Sequence, residues 1–363
     1  METALTSSIT LKSLGWDKYF EERLEERRSE TLIPARITTQ HKGSYTALSE
    51  AGELNAHVTG RMRYDASGAA DLPVVGDWVL VEPRVNEGSA TIKEVLERRT
   101  KFSRKVAGFE YDEQVLAANI DSAFLVSSLN NDLNPRRLER YLTMAYANGA
   151  MPVVVLTKAD LCDDVTAALD AVETIAIGTP IHVVSAVTGE GLEELRPYLV
   201  ENKTVALLGS SGVGKSTLVN ALAGEELLKV QTIREDDEKG RHTTTHRQMV
   251  FLPGGGIIVD TPGMREMQLW EAGEGLEGSF QDIDALAQNC RFRDCRHVSE
   301  PGCAIRAAVE SGELDADRLA SFEKLQRELL YLERKLDQRA AHEQTRKWKV
   351  QHKAMRRMNS PKV

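Results

Sequence analysis

The sequence predicts an α/β fold built on a largely parallel sheet, with a small β-barrel before it and a metal-holding helical segment after it. Three observations carry this. From about Asn119 onward, apolar runs of strand length alternate with helix-like stretches, the pattern of a sheet covered by helices. Between about Thr31 and Lys105, short alternating or β-branched runs are punctuated by Gly43, Gly52, Gly60, Gly68, Gly76 and Gly88, with no long helix between them. Three of the four cysteines, Cys290, Cys295 and Cys303, lie together near the C-terminus.

At 363 residues the chain is too long for one ordinary core and divides into two or three domains. A net charge of −9 excludes a generally basic coat, so any nucleic-acid contact has to come from local patches. No apolar run approaches the roughly 20 residues that cross a bilayer, and the N-terminus lacks a secretory pattern. The expectation is a cytoplasmic protein without a membrane partner, whose clustered cysteines serve a metal rather than disulfides.

Residues 1–30 are charge-dense around Trp16, Tyr19, Phe20 and Leu24, and read as a solvated extension in preference to a docked helix. Residues 31–107 form the barrel, with strands at Ala35–Thr39, Tyr45–Leu48, Leu54–Val58 and Asp77–Val81. A five-stranded OB-fold fits the length, with an SH3-like barrel as the alternative. The basic cluster Arg98–Lys105 is equally well a solvated face or an RNA contact. Residues 108–275 supply strands at Ile120–Val126, Met151–Leu156, Ile181–Val184, Val205–Leu208 and Ile257–Val259, with helices at Arg136–Tyr146 and Asp164–Thr174. Residues 276–363 hold the cysteine cluster, a helix over Leu314–Leu336, and a basic tail from Arg346 through Arg357 that favours RNA contact.

The most specific motif is Gly209-Ser210-Ser211-Gly212-Val213-Gly214-Lys215-Ser216-Thr217, between an apolar strand and a helix. It is a P-loop: backbone N–H groups curl around phosphates, Lys215 reaches the β- and γ-phosphates, and the Ser216 hydroxyl serves Mg²⁺. Two further strand ends name the nucleotide. Thr157-Lys158-Ala159-Asp160 has the form of a guanine-reading motif, in which the Asp160 carboxylate accepts from the base N1–H and 2-amino group. Ser185-Ala186, at the end of the next strand, matches its companion, whose backbone contacts the guanine carbonyl. Asp260-Thr-Pro-Gly263 adds a carboxylate for Mg²⁺ and a Gly263 N–H for the γ-phosphate. Gly240-Arg-His-Thr-Thr-Thr245 supplies the remaining metal ligand, Thr244 in preference to Thr243. The guanine motifs precede the P-loop, whereas an ordinary GTPase has them after it. The chain is therefore a circularly permuted P-loop GTPase, which is acceptable because the natural ends of such a domain lie close together.

Met264 stands where Ras-like enzymes carry a water-orienting glutamine, and a thioether cannot do that work. Intrinsic hydrolysis is expected to be slow. His242 is the candidate for positioning water, its alternative being a solvent-facing loop residue.

Cys290-x4-Cys295-x-His297-x5-Cys303 offers three thiolates and one imidazole, a set suited to one closed, tetrahedral structural Zn²⁺. The residues between are too polar for a plain core, and Arg291, Arg293 and Arg296 make a plausible RNA face.

The permuted order, the P-loop, Gly-Arg-His-Thr-Thr-Thr, Asp-Thr-Pro-Gly and the cysteine-histidine cluster together resemble the RsgA/YjeQ family of small ribosomal subunit biogenesis GTPases, over about residues 31 to 335. The resemblance implies an N-terminal OB-fold, a permuted GTPase domain and a C-terminal zinc-binding helical domain. It also implies binding of GTP and GDP, contact with the small subunit and its rRNA late in maturation, and slow intrinsic hydrolysis that the subunit accelerates, timed to release of the factor; the chain is expected to be a monomer. Thr157 departs from the asparagine common in GTPases and is expected to weaken a loop-bracing hydrogen bond. The alternative is a guanine-nucleotide-dependent RNA-binding regulator acting away from the ribosome. An ATPase or kinase is separated by competing GTP against ATP, and a signalling GTPase is disfavoured by the zinc cluster and barrel.

Overall fold

A computed structural model describes residues 9–27, 29, 31–105, 113–130, 133–228, 247–260, 276 and 278–331. The first described segment overturns its sequence reading. Helix α1, Lys18–Glu25, is capped by Asp17, whose side chain accepts from the Tyr19 N–H. It is not solvated: Leu14, Trp16 and Phe20 pack with Leu48, Trp78, Leu80 and Leu96 of the barrel. Trp16 meets Trp78 edge-on at 4.7 Å between ring centroids. Each large apolar side chain buried this way contributes about 1.5–3 kcal/mol, more than enough to dock one short helix.

The barrel comprises β1 (Ile33–Gln40), β2 (Tyr45–Ser49), β3 (Gly52–Val58), β4 (Trp78–Arg84) and β5 (Ser89–Val95). The order is β1-β2-β3-β5-β4, closed by a β1–β4 pairing, and only β3–β5 is parallel. Alternation is plainest in β3, where Leu54, Ala56 and Val58 point inward and Glu53, Asn55 and His57 outward. Helix α2, Gly60–Asp65, follows β3 and is capped by Thr59. A closed five-stranded barrel in this order is the expected OB-fold. Its fifth strand, Ser89–Val95, was absent from the sequence assignment.

The basic cluster after the barrel is largely used internally. Arg98 makes two 2.8 Å bonds to the buried carboxylate of Asp77 and also donates to the Ala70 and Leu72 carbonyls. Arg99 reaches Asp17 and Asp121, and Lys101 reaches Glu113 across the hairpin of β6 (Lys101–Lys105) and β7 (Glu113–Ala118). These three side chains therefore do not present the free basic face considered for RNA.

The α/β domain contains β8 (Ser122–Ser128), α3 (Pro135–Ala147), β9 (Met151–Thr157), α4 (Val165–Glu173), β10 (Ile181–Val183), β11 (Thr204–Leu208), α5 (Lys215–Ala223), β12 (Arg247–Phe251) and β13 (Ile257–Asp260). Strands run in the order β10-β9-β8-β11-β13-β12, all parallel except β12. Every residue of β8 and β11 is buried, as expected of central strands covered on both faces. The sheet continues into the barrel, because β12 also pairs with the end of β1.

Among the described residues the helices α6 (Gln281–Ala287), α7 (Ala304–Ser311) and α8 over 316–331 follow. Phe280, Ile283, Ile305, Phe322 and Leu325 share one core with Leu138, Tyr141 and Leu142 of α3. Across that seam the buried Arg318 contacts Glu139 of α3 at 3.2 Å and Asp282 at 2.5 Å, while the Ser321 hydroxyl donates to Glu139. Among the described residues no helix is long and apolar enough to cross a membrane.

Candidate functional site

Parallel strands bring their C-terminal ends to one edge, where ligands of such sheets bind. Here that edge gathers Thr157 at the end of β9, Ser185 just beyond β10, Gly209 just beyond β11 and Asp260 at the end of β13.

The loop between β11 and α5 has the backbone its glycines allow. A Cβ on Gly209 would overlap the Val126 carbonyl oxygen, and Gly214 sits at φ 93° immediately before α5. Lys215 opens the helix, and its Nζ donates to the carbonyls of Gly209 at 2.8 Å and Ser210 at 2.5 Å. The ammonium is thus folded over the loop that Ser210, Ser211, Gly212 and Val213 complete, with Ser216 and Thr217 in the first turn behind it.

The guanine motif touches this loop directly. The buried Thr157 hydroxyl donates to the Val213 carbonyl at 2.6 Å. A loop-bracing hydrogen bond is thus made here by the threonine Oγ1. Lys158 adopts the left-handed conformation at φ 60°, and its Cε lies about one van der Waals contact from where a Gly214 Cβ would stand. The Ala159 N–H donates to the Val184 carbonyl, which locks the two guanine motifs to each other. The Ser185 hydroxyl donates to Asp160 Oδ1 at 2.6 Å and itself accepts from the Thr188 N–H. Asp160 is exposed and held by one oxygen, which leaves acceptor capacity for a pair of base donors. Replacing Asp160 with asparagine puts a donor where the base presents donors. GTP affinity is expected to fall about ten- to a hundredfold with little change for ATP, measurable by competition against a fluorescent nucleotide.

The donor set for a divalent cation is one of hard oxygens. Asp260 ends β13, which pairs in register with β11 up to Ala206–Val259, so its backbone lies beside the strand leading to the P-loop and to Ser216. A carboxylate and a hydroxyl, both partly exposed, fit Mg²⁺ held also by phosphate and water. Thr244, Gly263, His242 and Met264 lie outside the described residues.

The second site is the cysteine-histidine cluster. The ligand atoms of Cys290, Cys295, His297 and Cys303 all lie within 4.8 Å of one another. His297 Nδ1 is 3.6 Å from the Cys290 sulfur and 3.5 Å from that of Cys303. Tetrahedral Zn²⁺ with ordinary Zn–S and Zn–N lengths requires an S···N edge of about 3.6 Å, so these residues fit the ion. Cys303 stands at the start of α7, and His297 takes the left-handed conformation at φ 61°. Glu300, overlooked in the sequence, braces the turn by accepting from the N–H groups of Arg296, Val298 and Ser299 at 3.0–3.1 Å. Its own N–H and those neighbours hold its carboxyl down to about 2. The signal was a lone acidic residue within a turn-rich stretch, which has many innocent explanations. Arg291, Arg293 and Arg296 are exposed around this loop, beside the exposed Phe292 and Val298.

Comparison with known proteins agrees with this geometry. A family model described as RsgA GTPase matches residues 95–270. A small ribosomal subunit biogenesis GTPase RsgA of Opitutus terrae is 46% identical over 357 residues, covering 96% of this chain and 97% of the relative. An RsgA 2 of Lactiplantibacillus plantarum is 49% identical over 299 residues, covering 82% and 84%. Among solved structures, YjeQ from Thermotoga maritima superposes with a TM-score of 0.63 at 29% identity, covering 82% of this chain and 99% of that one. YloQ, described as a circularly permuted GTPase, gives 0.60 at 25% identity, covering 83% and 96%.

Proposed function

This chain belongs to the RsgA family of circularly permuted GTPases, and on that footing we propose that it binds the small ribosomal subunit, assists its late maturation, and hydrolyses GTP there to time its own release. It is a GTP hydrolase of small-subunit biogenesis. The observation that carries the reading is the contact of Thr157 with Val213, which joins a guanine-reading motif to a phosphate loop that follows it in sequence.

In this reading Lys158, Ala159 and Asp160, with Ser185 and Ala186, hold the base, and residues 209–217 hold the phosphates. Lys215 leaves the Gly209 and Ser210 carbonyls for the β- and γ-phosphates, where its charge offsets what builds up as the terminal bond breaks. Ser216, Thr244 and Asp260 would hold Mg²⁺, which would supply electrostatic stabilisation of the phosphate oxygens. Gly263 contacts the γ-phosphate and His242 orients the attacking water. Cys290, Cys295, His297 and Cys303 would hold one Zn²⁺ in a structural role, their four donors leaving no position for catalysis.

The working units are the barrel at 31–107, to which residues 9–27 are added, the GTPase domain at 108–275 and the zinc unit at 276–363. RNA contact falls to the exposed arginines of the zinc loop, to the barrel and to the basic tail beyond the described residues. The protein works as a monomer in the cytoplasm. Turnover of GTP measured with and without purified small subunits tests the reading. Stimulation is expected to exceed about tenfold and to be lost in His242→Ala with GDP binding retained. Equal rates with and without subunits would remove the ribosome from the function.

A further inference from the structure

The geometry points to the barrel as part of the framework that positions the metal-holding carboxylate, with the cross-strand pair Gln40 and Arg247 as the positioning residues. This rests on the assignment of Asp260 to Mg²⁺ made above.

Strand β1 changes partners along one edge. Its first half, Ile33 to Arg36, pairs with β4 and closes the barrel. A register shift against β2 falls between Ile37 and Thr39, the kind of irregularity that bends a strand and redirects its end. Its last two residues stay paired with β2, Thr39 with Thr46 and Gln40 with Tyr45, while on the edge that β4 has left they pair with β12: Thr39 opposite Gln248, Gln40 opposite Arg247. On its other edge β12 pairs with β13, and the partner of Gln248 there is Asp260. Thr39, Gln248 and Asp260 are therefore consecutive rungs across three strands. At ordinary strand spacing a barrel residue lies only about 10 Å from the backbone of Asp260.

Among the described residues two pairs join the barrel to β12, and the side chains flanking them add to that joint. Arg247 reinforces the joint, donating to Gln40 Oε1 at 3.1 Å and to the Val115 carbonyl of β7 at 3.4 Å. One guanidinium thus clamps β12 to the barrel and to the hairpin that follows it. A shift of the barrel is passed along the ladder to the end of β13, because strands joined by backbone hydrogen bonds move together.

The test uses the full chain bound to GDP, with Mn²⁺ as the probe for the Mg²⁺ site, its affinity read by electron paramagnetic resonance. In Gln40→Ala and Arg247→Ala the affinity for Mn²⁺ is expected to fall about fivefold, while GDP binding in excess chelator stays unchanged. Arg247→Lys, which keeps a donor near Gln40, should recover part of the loss. Glu82→Ala removes the Lys93–Glu82 ion pair of the barrel, away from β12, and should leave Mn²⁺ affinity alone. If Arg247→Ala does not fold, Gln40→Ala decides. Unaltered Mn²⁺ affinity in Gln40→Ala, or an equal loss in Glu82→Ala, overturns the inference. Asp260→Asn separates the two levels: weakened binding there with none in the Gln40 variant overturns the barrel's role alone, whereas unaltered binding in Asp260→Asn overturns the metal assignment and the inference together.

Discussion

Replacing Lys215 with alanine is expected to lower GTP turnover by about two to three orders of magnitude and to leave the melting temperature close to that of the parent. The side chain spans the P-loop, and its ammonium is satisfied by the Gly209 and Ser210 carbonyls. Those are backbone acceptors in a partly exposed loop, so water replaces the lost donor at little cost. No such substitute exists once phosphates fill the loop. Charge accumulating on the transferred phosphoryl group then faces only backbone dipoles and the metal, and the missing cation is felt most in the transition state. Single-turnover hydrolysis, compared with GDP affinity, separates the two effects. A loss in rate below about tenfold would take Lys215 out of the chemistry and leave it a loop-shaping residue.

Removing the metal is expected to have the largest structural effect. Structural Zn²⁺ binds with an apparent free energy of about 10–16 kcal/mol, comparable to or above the whole stability of an ordinary domain at about 5–15 kcal/mol. Apart from the Glu300 brace, the Cys290–Cys303 stretch has little packing to hold it: its residues are mostly exposed, and Cys303 alone among the four ligands is buried. Cys303→Ser, or a strong chelator, should therefore release one Zn²⁺ per chain, open residues 290–303 to protease and lower the melting temperature. Nucleotide affinity should be retained, because the base and phosphate contacts belong to a separate edge of the sheet. Acid should act in the same direction, since thiolates and imidazole must be deprotonated to bind. A zinc content well below one per chain in the purified protein, or a Cys303→Ser variant with unaltered melting, would show that the cluster is held by packing instead.

Chemistry was legible in the sequence where it is local. Gly209 to Thr217, Thr157 to Asp160 and Cys290 to Cys303 each announce themselves because a ligand's geometry requires particular residues at fixed spacing. The strands of the parallel sheet were legible as well, since the apolar runs of β8, β9 and β11 are buried almost throughout. What sequence reasoning missed is non-local. Trp16 and Phe20 read as part of a solvated stretch because their partner Trp78 lies far along the chain. Arg98 read as one of a basic run, yet its charge is spent on Asp77 inside the molecule. Strand β5 was overlooked because its alternation is diluted by Lys93 and Glu94. Thr157 is instructive in the opposite sense. The departure from the usual asparagine was visible in the sequence, but the hydrogen bond of its hydroxyl to the Val213 carbonyl was not.

The seam between α3 and the last three helices bears on how far this protein can be taken apart. A fragment starting at residue 276 would keep its four metal ligands but lose the α3 surface that covers Phe280, Ile283, Ile305, Phe322 and Leu325. It would also strand Arg318, whose guanidinium is buried between Asp282 and Glu139, and a charge built for burial is costly to leave half-paired. The zinc unit is consequently an appendage in sequence and an integral part in packing. Swapping it between relatives would require carrying Glu139, Arg140 and their helix along with it, since Arg140 also holds Glu328 with both nitrogens.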